Sequence, residues 1–207
     1  GAQGETLTSL RQAVLRMNSQ VNNLLDMARL QSGQVQLNLQ WQPLEEVVGA
    51  ALAATSHLLS RHVVTVDLGA DLPLLEFDAV LLERLLFNLL ENAQKYTPEG
   101  SRIDVRATLA NDCAEISVED NGPGLPEGME ERVFDKFTRG QKESTKAGVG
   151  LGLAICRAII DAHRGRIWAE RSPSGGARFV FTLPLGNPPQ IHLPLQIDTR
   201  DSAVFEH

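Results

Sequence analysis

Four stretches of this chain carry residue types able to hold a charged, polar ligand. Asn88, Asn92, Lys95 and Tyr96 follow one another at steps of four, three and one, a polar stripe at helical spacing. The surrounding Leu82, Leu86, Leu89, Leu90 and Ala93 make the same segment apolar over a wide arc, so it is expected to be buried. Buried amides without partners cost about 1–3 kcal/mol each, which calls for something polar against the stripe. A hard cation with phosphates fits. Amide oxygens suit Mg²⁺, which takes few protein ligands when phosphates supply the rest, and Lys95 adds a point charge for phosphate oxygens. A solvent-facing stripe on an edge helix is the alternative.

Asp120-Asn121-Gly122-Pro123-Gly124 ends a strand pattern. It reads either as a turn or as a carboxylate that accepts from an exocyclic amine such as that of adenine, with glycines letting backbone approach the ring. Gly148-Val149-Gly150-Leu151-Gly152 stands at a loop-to-helix junction, where amides and a helix N-terminus favour an anion. It is not a dinucleotide fingerprint, since positions 153 and 155 are Leu and Ile, and no GxxxxGK[ST] run exists. A flexible hinge is its bland reading. Between these lies Phe134-Asp135-Lys136-Phe137, whose aromatics suggest an anchor docking on a core. Lys136, Arg139, Lys142 and Lys146 supply cations within reach of phosphates.

The elements that must position these residues follow from periodicity. Leu7, Leu10, Val14, Met17, Val21, Leu24 and Ala28 form a heptad stripe on a helix that wants a helical partner, with Gly33 as its stop. Val35, Leu37, Leu39 and Trp41 alternate as a strand. Pro43 opens a helix to about Leu59, Val63–Val66 is a strand, and Leu74–Phe77 is a short apolar run. Asp78 then caps a long helix over Ala79–Tyr96, which Thr97-Pro98-Glu99-Gly100 stops. Strands near Ile103–Leu109 and Ala114–Glu119 flank an Asn111-Asp112 turn. After the long Asn121–Gly150 connection, a helix runs from Leu151 to Arg164. His163 and Arg164 favour its C-terminal dipole and Gly165 caps it. Strands at Arg166–Glu170 and Ala177–Leu183 flank a Gly175-Gly176 turn. The fold class is α+β: a two-layer sandwich of a mixed sheet with helices on one face, preceded by one long helix.

Composition limits the partners. The 207 residues suggest one domain of about 150 residues plus an extra piece. A net charge of −7, from 19 basic and 26 acidic residues, argues against a surface that reads nucleic acid through phosphates. No run approaches a membrane span or a secretory signal. Cys113 and Cys156 lack CxxC spacing and read as reduced thiols.

Together these stretches resemble the catalytic ATP-binding domain of bacterial sensor histidine kinases, within the gyrase, heat-shock-chaperone and mismatch-repair ATPase superfamily. Asn88-Leu-Leu-Glu-Asn92-Ala-Gln-Lys95-Tyr96 resembles the N box, Asp120-x-Gly122-x-Gly124 the first glycine box, Phe134-Asp-Lys-Phe137 the F box and Gly148-x-Gly150-x-Gly152 the second glycine box. Gly175-Gly176 matches a weaker third signal. The runs around Phe134–Ser144 and Gly148–Ile160 resemble the potassium-responsive branch of the family.

The resemblance implies that ATP and Mg²⁺ are the cofactors and that Asn92, with Asn88, holds the metal. Lys95 would contact phosphate, Tyr96 line the nucleotide pocket and Asp120 read the adenine amine. Gly122, Gly124, Phe137, Gly148, Gly150, Leu151 and Gly152 would line the nucleotide. Residues 125–149 would be the ATP lid, with Arg139 and Lys136 near the γ-phosphate. Glu91, beside Asn92, could polarise a nucleophile; its alternative is a helix-surface charge.

The implied domains are residues 1–33, the second helix of a dimerization hairpin; 34–185, the catalytic domain; and 186–207, a tail. A homodimer through the residue 7–28 helix and a response regulator protein are the implied partners. The implied location is the cytoplasmic side of a bacterial inner-membrane protein, with the membrane reached only through parts of the parent outside this chain. None of His57, His62, His163, His192 and His207 sits in a phosphoacceptor setting; Ser56-His57-Leu58-Leu59 lacks the adjacent acid and the Pro. The chain is therefore expected to be a fragment without the acceptor helix and unable to phosphorylate itself. In the superfamily's hydrolases a Glu that activates water stands four residues before the metal Asn. Asn88 stands there here, which favours a kinase. A hydrolase and a non-catalytic interaction module are the rival readings.

Overall fold

The computed structural model describes residues 36–135 and 151–187, together with Val14, Met17, Val21, Leu25 and Ala28, which are helical. The order of elements is β1 (Gln40–Gln42), α1 (Leu44–Thr55), β2 (Val63–Leu68), β3 (Leu75–Phe77), α2 (Ala79–Tyr96), β4 (Arg102–Ala110) and β5 (Cys113–Asp120). A single 3₁₀ turn (Arg132–Phe134), α3 (Gly152–Ala162), β6 (Ile167–Arg171) and β7 (Ala177–Pro184) follow.

The main sheet runs β2-β4-β5-β7-β6. β2 pairs with β4 in parallel and every other neighbour is antiparallel, so the sheet is mixed as expected. Period-2 alternation decides its faces. Ile103, Val105, Ala107, Ala114, Ile116, Val118, Phe179, Phe181 and Leu183 form a buried inner face. The opposite residues carry an ion-paired lattice: Arg102 and Arg106 on Asp104, Arg106 on Glu119, and Arg178 on Glu115 and Glu170. α2 lies between α1 and α3. Its Leu82, Leu85, Leu86, Leu89 and Leu90 are at most 1% exposed, which marks it as the centre of the core.

The ends of α2 are set by local chemistry. Asp78 Oδ1 accepts from the N–H groups of Val80 and Leu81, the expected cap. At the other end Thr97 is extended because Pro98 follows it, and its hydroxyl returns to Ala93 O at 2.7 Å.

Several boundaries differ from the expectations. The strand expected over Val35–Trp41 is only Gln40–Gln42, and it pairs with β3 outside the main sheet. The Asn38 N–H donates to Asp78 Oδ2, which takes that residue out of any ladder. α1 stops at Thr55, where the hydroxyls of Thr55, Ser56 and Ser60 bond nearby carbonyls and compete with the helix. Gly165 is not the left-handed cap of α3: Arg164 takes that conformation, at φ 60°. Glycine is required at 165 because a Cβ there would collide with the Thr182 carbonyl. His163, at the end of α3, reaches across to the start of α2. Its buried ring accepts the Asp78 N–H at Nε2 (3.0 Å), with Nδ1 2.7 Å from Ile159 O.

Candidate functional site

α2 and α3 run antiparallel, with Asp78 against His163 at one end and Asn88 against Gly152 at the other. That pairing brings the polar stripe of α2 to the start of α3. Asn88 is 6% exposed, and among the described residues its Nδ2 makes no hydrogen bond. A Cβ added to Gly152 would lie 3.7 Å from Asn88 Oδ1, an ordinary contact distance, so the start of α3 stands beside the amide with room for one more carbon. Leu151, which precedes α3, is 6% exposed and its side chain makes no capping bond. The amide thus offers a carbonyl oxygen for a hard cation and a donor for a phosphate oxygen. The first amides of α3 add positive partial charge beside it.

Cys156 on α3 is fully buried and inert: its thiol donates to the Leu85 carbonyl at 3.7 Å, and burial pushes it up to about 12. Asn92, one turn beyond Asn88, is half-buried, and Glu91 beside it is exposed. Lys95 places Nζ 4.9 Å from the Tyr96 ring centre. Tyr96, Thr97, Pro98, Ser101, Asn121, Gly122 and Pro123 line a cleft of about 440 Å³.

Asp120 closes the other side. Its Oδ1 accepts from the N–H groups of Gly122 (2.9 Å) and Ala177 (3.2 Å), and among the described residues Oδ2 accepts nothing. Burial raises its carboxyl above the ordinary range. The two N–H bonds oppose this and the neighbouring Glu119 charge adds to it. Three glycines surround this residue for steric reasons. A Cβ on Gly122 would stand 2.6 Å from Thr97 Cγ2. Gly124 has φ 75°, and a Cβ there would stand 3.0 and 3.1 Å from the carbonyl oxygens of Gly175 and Gly176. A Cβ on Gly176 would collide with Asp120 itself.

The structure therefore brings together Asn88, Gly152 and Leu151 at one place, and Asp120, Gly122 and Gly124 at another, with Asn92, Lys95 and Tyr96 on the same helix as Asn88. Lys136, Phe137, Arg139, Gly148 and Gly150 lie outside the described residues. Phe134 is the aromatic that docks. It is 3% exposed, edge-on to Phe179 with centroids 6.2 Å apart, and Arg157 lies 4.8 Å over its ring.

Sequence reasoning missed what holds Asp120 from behind, namely Glu119, Ser172, Ser174 and the Ala177 N–H. The Gly175-Gly176 pair was the available signal. His57 is exposed, His62 bonds Thr97 Oγ1 at 3.0 Å, and among the described residues no group of His, Cys, Asp or Glu could hold a metal.

A mixed sheet packed with α1, α2 and α3, with the buried Asn88 amide beside the Gly152 start of α3, defines a class. The model of the histidine kinase-, DNA gyrase B- and HSP90-like ATPases matches residues 77–187, and this chain belongs to that family. Within it, the chain is similar to sensor protein KdpD of Escherichia coli strain K12, 50% identical over 184 residues that make up 89% of this chain and 20% of that protein. It is also similar to sensor protein KdpD of Clostridium acetobutylicum, 36% identical over 166 residues, 79% of this chain and 18% of that one. The chain thus spans about a fifth of the length of these relatives. Among solved structures, full-length ShkA in complex with AMPPNP superposes with a TM-score of 0.78 at 26% identity, over 92% of this chain and 40% of that one. The catalytic domain of histidine kinase ThkA superposes with a TM-score of 0.64 at 27% identity, over 72% and 96%. The expected resemblance to the sensor histidine kinases and their ATP-binding domain is borne out.

Proposed function

We propose that this chain is the kinase domain of a sensor histidine kinase. In this reading it binds Mg²⁺·ATP and transfers the γ-phosphoryl to a histidine on a dimerization helix outside residues 34–185, in potassium or osmotic signalling. The observation that carries the reading is the buried Asn88 amide, whose Nδ2 makes no hydrogen bond among the described residues and which stands beside the start of α3. A buried donor without a partner is costly in the free domain and is satisfied by a phosphate oxygen.

Asn88 and Asn92 would hold Mg²⁺, which would neutralise phosphate oxygens. Lys95 contacts phosphate, Tyr96 lines the pocket, and Asp120 Oδ2 accepts the adenine amine. Gly122 and Gly124 admit the base, while Leu151 and Gly152, with Gly148 and Gly150, present amides to the phosphates. Arg139, Lys136 and Phe137 belong to the lid, and Glu91 polarises the incoming imidazole. Catalysis is then positioning and charge stabilisation.

Residues 1–33 serve as the second dimerization helix and 186–207 as a tail. Val14, Met17, Val21 and Leu25 are 48–66% exposed, an apolar stripe that a second copy would cover. Among the described residues no helix is long and apolar enough to cross a membrane. In this reading the membrane, like the response regulator, is met through the parent protein.

The test is transfer of label from γ-³²P-ATP to a supplied dimerization hairpin bearing the acceptor histidine. Label on that histidine, dependent on Mg²⁺ and lost in Asn92→Ala, is the expected result. An intact chain with no calorimetric affinity for AMPPNP refutes the reading. Steady ATP turnover that needs Glu91 and no acceptor replaces it with a hydrolase.

A further inference from the structure

Asp120 can present one oxygen to a base only if its carboxylate is held in one orientation, and the structure holds it with a second layer of contacts. Of the two N–H groups on Oδ1, that of Gly122 comes from the local turn. The other belongs to Ala177, the first residue of β7. The chain reaches Ala177 through the turn Ser172–Gly176, closed by Ser172 N–H to Gly176 O at 2.8 Å and Gly175 N–H to Ser172 O at 2.9 Å.

That turn is fastened to Glu119. Ser172 Oγ donates to Glu119 Oε1 at 2.5 Å and Ser174 Oγ to the same oxygen at 3.1 Å, while the Ser174 N–H donates to Ser172 Oγ at 2.9 Å. Glu119 and Ser172 are 5% and 3% exposed. The other carboxylate oxygen of Glu119 lies 3.5 Å from Arg106 Nη1, on β4. Neighbouring residues of a strand face opposite sides, so Glu119 grips the turn from the outer face of the sheet while Asp120 stands on the inner one.

We propose that Glu119 is a positioning residue for Asp120. By holding Ser172 and Ser174 it fixes the turn that delivers the Ala177 N–H, keeps Oδ1 occupied and presents Oδ2 to the exocyclic amine of adenine. Charged hydrogen-bond networks of this kind orient the group that meets the ligand, and their loss blunts selectivity at that contact. The inference rests on the reading of Asp120 as the amine acceptor.

The experiment compares ATP with purine riboside triphosphate, which is ATP without the amine, by calorimetric titration of the full chain with Mg²⁺. The ratio of the two affinities reports the amine's hydrogen bond, and in the unmodified chain it is expected to be about tenfold or more. Glu119→Ala and Ser172→Ala should bring that ratio to about threefold or less with little change in affinity for the amine-free nucleotide. Glu119→Gln, which keeps an acceptor oxygen for both hydroxyls, should restore it.

A purely structural role lowers both affinities together and leaves the ratio in place; that result overturns the proposal. An unmodified chain that binds both nucleotides equally overturns the reading of Asp120, and the proposal with it. If Glu119→Ala does not fold, Ser172→Ala, which removes a single oxygen, decides between these outcomes.

Discussion

Asp120→Asn exchanges one carboxylate oxygen for an amide nitrogen at almost constant size. The geometry dictates which oxygen is lost. Gly122 and Ala177 both point N–H groups at Oδ1, so the asparagine must place its own oxygen there and its Nδ2 where Oδ2 had been. A donor then meets the adenine amine, also a donor. A hydrogen bond to a charged group contributes about 1.5–3 kcal/mol, so the dissociation constant for AMPPNP should rise about 10- to 150-fold.

Stability should move the other way. Burial holds the folded pKa of Asp120 above its unfolded value, so the ionised group costs stability at pH above that folded pKa, and the cost disappears as pH falls through it. Asparagine carries no such cost. Its Tm at about pH 8 should match or exceed that of the unmodified chain, with the difference shrinking as pH falls through the folded pKa of Asp120. Nucleotide binding by the unmodified chain should weaken over the same acid limb. Titration calorimetry with Mg²⁺·AMPPNP and differential scanning calorimetry over a descending pH series measure both arms. An affinity within about twofold of the unmodified chain, or a lower Tm at about pH 8, refutes the reasoning.

Three further substitutions probe the supports of the site. Gly176→Ala drives a methyl into Asp120 O and Oδ1, where the obstructing atoms belong to backbone and a held carboxylate. Urea denaturation should register a loss of about 2 kcal/mol or more. His163→Leu keeps the bulk but leaves the buried Asp78 N–H unpaired. The cost should be about 1–3 kcal/mol, seen as a Tm lower by about 2–4 °C per kcal/mol. Asn88→Ala removes an amide whose Nδ2 has no partner among the described residues. Its stability should stay within about 1 kcal/mol of the unmodified chain while Mg²⁺-dependent nucleotide affinity falls at least about tenfold, so that calorimetry and thermal melts diverge.

Much of the architecture was legible in the residues because it depends on local rules. The bounds of α2 follow from Asp78 at one end and Thr97-Pro98 at the other, and both were readable. The alternation of β4 and β5 identifies the inner face, and the amide stripe on an otherwise apolar helix marks the candidate site in the sequence itself. Boundaries governed by distant partners were not legible. β1 is short because Asn38 donates to Asp78, forty residues on, and α1 ends early where hydroxyls turn inward onto carbonyls.

The sequence alone determined which residue types could meet a phosphate, a cation and a base, because helical spacing and turn chemistry are encoded within a few residues of one another. Tertiary structure decided which of them share a space. Only the antiparallel packing of α2 on α3 puts Asn88 against Gly152, and only the β5–β7 pairing carries the Ala177 N–H and the Gly176 backbone up to Asp120. Those contacts join residues more than fifty positions apart. Their geometry is fixed by the packing of a shared core, which no local pattern specifies.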